Sequence, residues 1–237
     1  MLGLNSSTEI NGRLCWIATA GFPELKKSEA HIWRASLQMP GFQLRAFRQM
    51  LADDEISRAE RFSFPADRDR FIIARGLLRT ILAGYLNMKP EKIRFRFGSF
   101  GKPELAGDAI ELSFSTSHSK GLALYAVTHG RKIGVDLEYI SSGLKVDEIA
   151  RQFFPEEERV FKSPAHVRRE IFFTLWTRME AYLKAQGVGL AGPLRKKDGD
   201  ALWSFTDIQV AHGYAASIAI EGHGVGLHFL HWAGSPQ

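Results

Sequence analysis

The 237-residue chain contains a single cysteine, Cys15, and this scarcity limits the sites that it can form. One thiol cannot make an intramolecular disulfide, and it cannot supply the ligands of a cysteine-based zinc site. No apolar run approaches the roughly 20 residues that a membrane-spanning helix needs. Residues 1–10 lack the basic and apolar regions of a signal peptide. We therefore expect a cytoplasmic protein with no membrane segment.

Signatures of several common sites are missing as well. The chain has no G-x-S-x-G sequence, so an esterase with a serine nucleophile on that turn has no support. Residues 187–192 match G-x-G-x-x-G, but they follow a helical pattern and precede Pro193, so the strand-turn-helix context of a dinucleotide site is absent. His223, His228 and His231 suggest a metal site only weakly, because His228 and His231 fall on opposite faces of a predicted strand.

Charge favours an anionic partner. The 31 lysines and arginines exceed the 26 acidic residues and give a formal net charge of +5. Nucleic acid, a phosphorylated cofactor and an acidic protein are all compatible with this balance. A composition of 45% hydrophobic and 24% charged residues is typical of a globular protein with a full core.

Periodicity predicts an α+β fold, because strands, helices and strands follow one another twice. The predicted strands cover residues 13–19, 31–38, 93–97, 111–116, 121–128, 133–138, 203–210, 214–220 and 225–232. The predicted helices cover residues 42–62, 66–86, 145–154, 156–161 and 166–186. This order indicates two similar halves that meet near residue 120. Most arginines of the 66–86 helix are expected to be solvated.

Two short segments carry acidic groups in a suggestive pattern. Glu180 and Lys184 lie one turn apart on the predicted 166–186 helix, so they share a face. Alone, such a pair indicates an exposed ion pair worth about 0.3–0.5 kcal/mol. Alternation in residues 133–138 places Asp136 and Glu138 on one face of a strand.

These segments resemble the motifs of the Sfp-type 4'-phosphopantetheinyl transferase family. Residues 134–138, G-V-D-L-E, look like the family's G-[VI]-D-x-E. Residues 176–184, W-T-R-M-E-A-Y-L-K, look like its W-[TS]-x-K-E-A-x-x-K, except that Met179 replaces a lysine. Either Met179 removes an auxiliary phosphate contact, with Arg178 as a substitute, or activity is altered or lost. Further similarity extends over roughly residues 58–185.

The resemblance implies two α/β subdomains related by a pseudo-twofold axis, with the active site in the cleft between them. Residues 1–120 would supply the phosphate and nucleotide contacts of coenzyme A, and residues 121–237 the acidic cluster and the catalytic helix. It implies transfer of 4'-phosphopantetheine from coenzyme A to a serine of an apo acyl or peptidyl carrier protein, with release of 3',5'-ADP. A monomer is expected.

The resemblance also implies the residues that bind coenzyme A. They are Arg58, Arg61, Arg70, Gly101, Lys102, Pro103, Ser117, His118 and Lys184. Arg70, in D-R-D-R-F-x-x-A-R-x-L-L-R, best matches the arginine that reaches the 3'-phosphate, whereas Arg58 and Arg61 match less well. The Ser-His-Ser sequence implies that His118 donates to a cofactor phosphate.

The predicted metal ligands are Asp136, Glu138 and Glu180. Two carboxylates about 4 Å apart repel by about 4 kcal/mol at an effective dielectric constant near 20, so such a cluster needs a proton or a cation. Oxygen ligands together with a phosphate substrate select Mg²⁺, with Mn²⁺ as a substitute. Glu180 is the predicted acceptor of the serine proton, directly or through a water, and Lys184 is predicted to stabilise or protonate the leaving phosphate.

Two alternatives stay open beside the active transferase. Met179 motivates a catalytically impaired relative that only binds coenzyme A. The arginine-rich helix motivates a nucleic-acid-binding module, but acidic residues interrupt the arginines and no zinc-finger, RRM or KH pattern is present, so we expect no nucleic acid. The apolar segment Leu144–Phe161 is the predicted docking region for the carrier protein, with at least one of Phe153, Phe154 and Phe161 exposed.

Overall fold

A computed structural model describes residues 9–10, 13–19, 21–107, 111–157, 160, 162–189 and 202–234. Its strands are β1 (Glu9–Ile10), β2 (Arg13–Leu14), β3 (Ile17–Thr19), β4 (Glu29–Ser36), β5 (Phe95–Phe97), β6 (Pro103–Leu105), β7 (Leu112–Ser119), β8 (Leu122–His129), β9 (Ile133–Tyr139), β10 (Trp203–Asp207), β11 (Tyr214–Glu221) and β12 (Gly226–Trp232). Its helices are α1 (Gly41–Met50), α2 (Asp53–Ala59), α3 (Pro65–Leu86), α4 (Val146–Phe153) and α5 (Ala165–Gln186), with a short 3₁₀ helix at Pro90–Lys92.

Two sheets carry the fold. The larger has the strand order β3-β12-β4-β8-β7, and the smaller has the order β10-β11-β9. Strand β12 is parallel to β3 and β4, while the other pairs in these sheets are antiparallel. Strand β12, from the C-terminal part of the chain, therefore lies between β3 and β4, from the N-terminal part. Backbone hydrogen bonds connect the two parts.

Alternating side chains divide the molecule into four layers. On β4, Trp33 packs against α3 in one apolar core, while its neighbour Ile32 points to the opposite face and joins a second core. Val135 of β9 and Ile218 of β11 belong to that second core, which lies between the two sheets. Helix α5 packs on the outer face of the smaller sheet. The order α3, larger sheet, smaller sheet, α5 confirms the predicted α+β class. The pseudo-twofold relation and the division at residue 120 stay predictions.

Most long elements lie where the sequence predicts them, and the differences have local causes. The predicted 42–62 helix is two helices, because Leu51 and Ala52 are extended and the Glu55 carboxylate accepts the Ala52 N–H at 3.0 Å. Residues 103–105 form a strand rather than a loop, since they pair with β5 across a tight turn. The predicted 156–161 helix lies partly outside the described residues.

Two arginines of α3 are structural, which corrects the expectation that they are solvated. Glu55 and Arg79 are 3% and 2% exposed, and Arg79 Nε donates to Glu55 at 2.7 Å. Arg75 pairs with the other oxygen of Glu55. Because one carboxylate accepts from both arginines, this buried network anchors α2 on α3.

Candidate active site

Strands β7 and β9 lie side by side where the two sheets meet, and serine side chains join them. Ser115 Oγ accepts the Val135 N–H at 3.1 Å, and Ser119 Oγ accepts the Tyr139 N–H at 3.0 Å. From the first contact to the second, the residue number rises by four on both strands, so β7 and β9 run parallel at this junction. The junction brings the Ser117-His118-Ser119 sequence alongside the predicted acidic strand.

Asp136 lies at the centre of this junction and is 3% exposed. Its Oδ1 accepts from Lys184 Nζ at 2.6 Å and from Ser117 Oγ at 2.9 Å. Its Oδ2 is buried without a hydrogen-bond partner among the described residues. An unpaired carboxylate oxygen in such a place costs free energy unless a cation or a donor reaches it.

Helix α5 approaches β9 this closely because residue 134 is glycine. A Cβ atom at Gly134 would overlap the Ala181 carbonyl oxygen and would lie 2.6 Å from the Ala185 nitrogen. The backbones of strand and helix therefore touch at this point. This contact brings Glu180 and Lys184, one turn apart on α5, up to the edge of β9. It gives the glycine of the G-V-D-L-E sequence a packing role.

Glu138 and Glu180 are both partly buried. Burial raises the pKa of Glu138 above its ordinary value, and the negative charge of Asp136 raises it further. Burial and the charge of Asp136 raise the pKa of Glu180 in the same way. Ser119 Oγ donates to Glu138 at 3.2 Å and offsets part of this effect. The negative charges of the three carboxylates therefore act on one another.

The donor set fits a divalent cation that prefers oxygen ligands. Asp136 Oδ2 is the free buried oxygen, and Glu138 and Glu180 add two partly buried carboxylates whose pKa values are raised by burial first and then by the charge of Asp136. The carboxylate oxygens of Asp136, Glu138 and Glu180 do not all lie within 4.8 Å of one another. Among the described residues, that limit is met only by a cluster elsewhere in the fold. Mg²⁺ tolerates such spacing, since it keeps several waters and takes one or two protein carboxylates beside substrate phosphates.

A cleft runs from α3 to the acidic junction. Its larger cavity, of about 590 Å³, is lined by Arg58, Arg70, Gly101, Pro103, Ser117 and His118, among others. A smaller cavity, of about 260 Å³, is lined by Glu180, Lys184 and Lys102. Gly101, Pro103 and Thr116 line both cavities, so the two lie side by side. Eight of the nine predicted coenzyme A residues therefore border one cleft; their role as ligands stays a prediction.

Arg61 is the exception, because it is exposed and lines neither cavity. Arg70 is held by Asp67, to which it donates at 2.9 Å. The guanidinium of Arg58 lies 5.4 Å from the ring centre of Phe71. Both arginines therefore present positive charge to the larger cavity.

Positive charge continues along the cleft. Burial lowers the pKa of Lys102 to about 8, and its Nζ donates to the Ile133 carbonyl at 3.3 Å. Burial, together with the charges of Lys184 and Arg58, lowers the pKa of His118.

Several cleft residues were not predicted from the sequence. Lys120 lines the larger cavity and has a left-handed backbone, with φ of 53°. Phe62, Phe71 and Phe97 form apolar walls of the same cavity. In the sequence, these residues look like ordinary turn or core residues, so no local pattern identifies them as lining the cleft.

The residue at the unusual motif position, Met179, is partly buried in α5. Its neighbour Arg178 makes two short hydrogen bonds to Asp207, of 2.8 and 2.6 Å. Arg178 lies about 200° around the helix from Glu180, since each residue turns the helix by about 100°. Arg178 therefore supplies no charge to the acidic junction, which argues against it as a substitute for the missing lysine.

The predicted docking segment has one exposed apolar residue at its start. Leu144 is 36% exposed. Phe153 and Phe154 are partly buried. The ring of Phe153 packs edge-on against Trp176 with 5.3 Å between ring centres, and that of Phe154 packs against Phe172 with 6.1 Å. The third predicted residue, Phe161, lies outside the described residues.

Comparison with known proteins matches both halves of the chain. A family model described as 4'-phosphopantetheinyl transferase superfamily matches residues 132–230. A second, described as the N-terminal part of 4'-phosphopantetheinyl transferase, matches residues 33–129. Within the described residues, no helix is both long enough and apolar enough to span a membrane.

Several curated proteins are similar over most of their length. The 4'-phosphopantetheinyl transferase HetI of Nostoc sp. is 37% identical over 233 residues, which cover 92% of this chain and 98% of that protein. A putative 4'-phosphopantetheinyl transferase of Synechocystis sp. is 33% identical over 172 residues, covering 71% and 69%. The 4'-phosphopantetheinyl transferase Sfp of Bacillus subtilis is 26% identical over 150 residues, covering 62% and 65%.

Proposed function

Because the chain belongs to the 4'-phosphopantetheinyl transferase superfamily, we propose that it transfers 4'-phosphopantetheine from coenzyme A to a serine of an apo carrier protein, with Mg²⁺ as cofactor and 3',5'-ADP as the second product. The observation that best supports this function is the buried, unpaired Oδ2 of Asp136 beside the Lys184 ammonium group. Lys184 lines the smaller cavity of a cleft bordered by positive side chains, where a phosphorylated substrate is favoured.

The cleft suits an elongated anionic ligand. In this proposal the 3'-phosphate of coenzyme A binds near Arg70 and His118, which line the larger cavity with Arg58. The pyrophosphate lies at the other end, near Lys102 and Lys184, which line the smaller cavity. Charge-assisted hydrogen bonds from these groups to phosphate oxygens are stronger than neutral ones, so they orient the ligand along the cleft.

Asp136 would hold the Mg²⁺ ion directly, and Glu138 and Glu180 would hold it directly or through the waters that the ion keeps. When bound, the ion supplies positive charge that neutralises the pyrophosphate and the three carboxylates. Asp136 contributes its free Oδ2, while its Oδ1 keeps Ser117 in place. Mn²⁺ has a similar preference for oxygen ligands and can substitute.

The transfer step moves one proton and breaks one P–O bond. The carrier serine oxygen attacks the β-phosphate of coenzyme A, its proton passes to Glu180, and the pyrophosphate bond breaks with its electron pair on the leaving 3',5'-ADP. Glu180 lines the smaller cavity, where the serine would enter, so its carboxylate is placed to accept the proton. The Lys184 ammonium group stabilises the negative charge that develops on the leaving phosphate.

The carrier protein must bring its serine to the smaller cavity, so it docks beside the acidic junction. The Leu144–Phe161 segment follows β9 along the chain. Leu144 lines a surface pocket together with Lys145, Arg151 and Arg168. The same pocket contains Asp147 and Glu148, which pair with Arg168 and Lys145, so it is the exposed apolar side chain of Leu144 that suits the apolar face of an amphipathic helix.

Mass spectrometry of apo carrier proteins incubated with the full chain, coenzyme A and Mg²⁺ tests this function. A mass gain of one phosphopantetheine group on any member of a panel of fatty-acid, polyketide and non-ribosomal peptide carriers supports it. Tight coenzyme A binding without transfer to any member would identify the chain as a catalytically impaired relative, as the Met179 substitution allows.

A further inference from the structure

A second cluster of ligand-type side chains lies outside the cleft. It consists of Glu29, His31 and His228, and one oxygen or nitrogen from each lies within 4.8 Å of the others. Tyr85 of α3 contacts this cluster, whereas Arg70 of α3 lines the cleft. These two residues are 15 positions apart, which corresponds to about 22 Å along a helix. The cluster therefore takes no part in the transfer site.

Strand register brings the three residues together. His31 of β4 and His228 of β12 are direct partners on neighbouring parallel strands. Glu29 lies two residues before His31 on β4, so its side chain projects from the same face. Their positions are consequently set by the sheet backbone and do not depend on a flexible loop.

The distances fit a shared ion better than direct hydrogen bonds. Glu29 Oε1 lies 3.6 Å from His228 Nε2, and Glu29 Oε2 lies 3.8 Å from His31 Nε2. Both separations are too long for good hydrogen bonds. Ligand atoms about 2.0–2.1 Å from a tetrahedral zinc ion lie about 3.3 Å from one another, so a small inward movement suffices. His228 Nε2 is buried and has no hydrogen-bond partner among the described residues.

The other nitrogen of His31 is held as in many metal-binding histidines. His31 Nδ1 lies 2.7 Å from the Tyr85 hydroxyl, which also accepts from Trp33 Nε1 at 2.9 Å. When Nδ1 donates to this oxygen, the lone pair of Nε2 points toward Glu29 and His228. A second partner of this kind fixes the ring orientation and the tautomer that binds a metal.

We propose that Glu29, His31 and His228 form a site for a Zn²⁺ ion that joins β12 to β4. Two imidazoles and one carboxylate suit Zn²⁺ and disfavour Mg²⁺, which prefers oxygen ligands. The Lys26 ammonium group, 3.4 Å from Glu29 Oε1, and the Lys26 N–H, 3.3 Å from Glu29 Oε2, are the competing partners of the carboxylate. The Lys26 side chain is 65% exposed, so it can withdraw into solvent and leave room for a water as fourth ligand.

The ion would stabilise the fold, because β12 comes from the end of the chain and β4 from its beginning. A ligand that binds only the folded state raises the unfolding temperature, by an amount that grows with the logarithm of the ligand concentration. The proposal is independent of the transferase function, since it predicts a change in stability and not in the transfer step.

Titration of the chelator-treated full chain with ZnCl₂, in the presence of saturating Mg²⁺ to occupy the acidic junction, tests the proposal. We expect one Zn²⁺ per chain, a higher unfolding temperature, and, with Co²⁺ in its place, the visible absorption of a four-coordinate ion. His228→Ala should weaken Zn²⁺ binding at least about 100-fold, because even loss of a supporting contact costs about 10- to 100-fold.

His231→Ala is the matched control, since His231 is on the same strand but pairs with Arg34 on the opposite face. Its Zn²⁺ affinity should equal that of the unchanged chain. Glu29→Gln keeps the shape of the side chain and provides a second test if His228→Ala does not fold. Absence of Zn²⁺ binding by the unchanged chain, or unchanged binding in both ligand variants, would overturn the proposal.

Discussion

The Lys184 ammonium group lies 2.6 Å from Asp136 Oδ1, although the two residues are 48 positions apart in the chain. The contact joins the two motifs that were recognised separately in the sequence. It depends on Gly134, which lets α5 touch β9, and on Ser117, which holds the same oxygen from β7. Lys184 balances part of the negative charge, and Asp136 Oδ2 remains free for a cation.

Lys184→Ala should lower kcat by about 100- to 1000-fold, because its charge matters most when the leaving phosphate becomes negative. The KM for coenzyme A should change much less. Steady-state kinetics with a carrier protein measure both. Lys92→Ala, which removes an exposed lysine outside the cleft, is the control and should leave both constants unchanged. If only the KM rises, Lys184 is a binding residue without a role in the transition state.

Mg²⁺ should stabilise the protein more at about pH 7.5 than at about pH 5. The pKa values of Glu138 and Glu180 are raised above 4.5 in the folded protein, by burial first and then by Asp136. Between the ordinary and the raised value the folded state binds more protons than the unfolded state, so the free energy of unfolding falls as the pH rises through that window. A divalent cation offsets this loss only when the carboxylates are ionised.

Thermal unfolding with and without Mg²⁺ at the two pH values measures this effect. Glu180→Gln should reduce the Mg²⁺-dependent increase in Tm, whereas Glu91→Gln, at an exposed position, should not. An equal Mg²⁺ effect at both pH values would show that the ion binds away from these carboxylates.

Arg70→Ala and His118→Ala should weaken coenzyme A by about 10- to 100-fold each, the value of a charge-assisted hydrogen bond of about 1.5–3 kcal/mol. Binding of dephospho-coenzyme A, which lacks the 3'-phosphate, should change little. Titration calorimetry with both ligands measures the difference. Arg61→Ala is the control, because Arg61 lines neither cavity. A similar loss for both ligands would exclude the 3'-phosphate as the contact.

Leu144→Ala should raise the KM for the carrier protein about fivefold or more, as loss of an interface residue worth about 1 kcal/mol does. Coenzyme A binding should stay the same, since Leu144 lies outside both cavities. Phe205→Ala is the control, because Phe205 is 48% exposed but lies on β10. Equal carrier KM values for the two variants would place the docking surface elsewhere.

The periodicity of the local sequence was sufficient to predict the helix and the strand that border the cleft. The α5 helix ends at Gly187 with φ of 71°, as the glycine after its last apolar residue predicts. The alternation around Asp136 predicts the face of β9 that turns toward α5. Both follow from the periods of helix and strand, which neighbouring residues determine.

Long-range register lay beyond the sequence pattern. His228 and His231 are three residues apart, a spacing that predicts opposite faces of a strand and argues against a shared metal ion. In the structure they do lie on opposite faces of β12. The partner of His228 is His31, nearly 200 residues away, because β12 lies parallel to β4. The buried role of Arg79 likewise depends on Glu55 of another helix. Neither pairing leaves a local periodic signal.

The Mg²⁺ dependence of phosphopantetheine transfer in Asp136→Asn tests the central claim most directly. The asparagine keeps the size of the side chain but removes its charge, and the unchanged chain should show saturable, Mg²⁺-dependent modification of the carrier serine by mass spectrometry. The variant should stay folded and lose at least about 1000-fold in rate at every Mg²⁺ concentration, which corresponds to about 4 kcal/mol of transition-state stabilisation. A folded variant that keeps Mg²⁺-dependent transfer near the original rate would contradict the account.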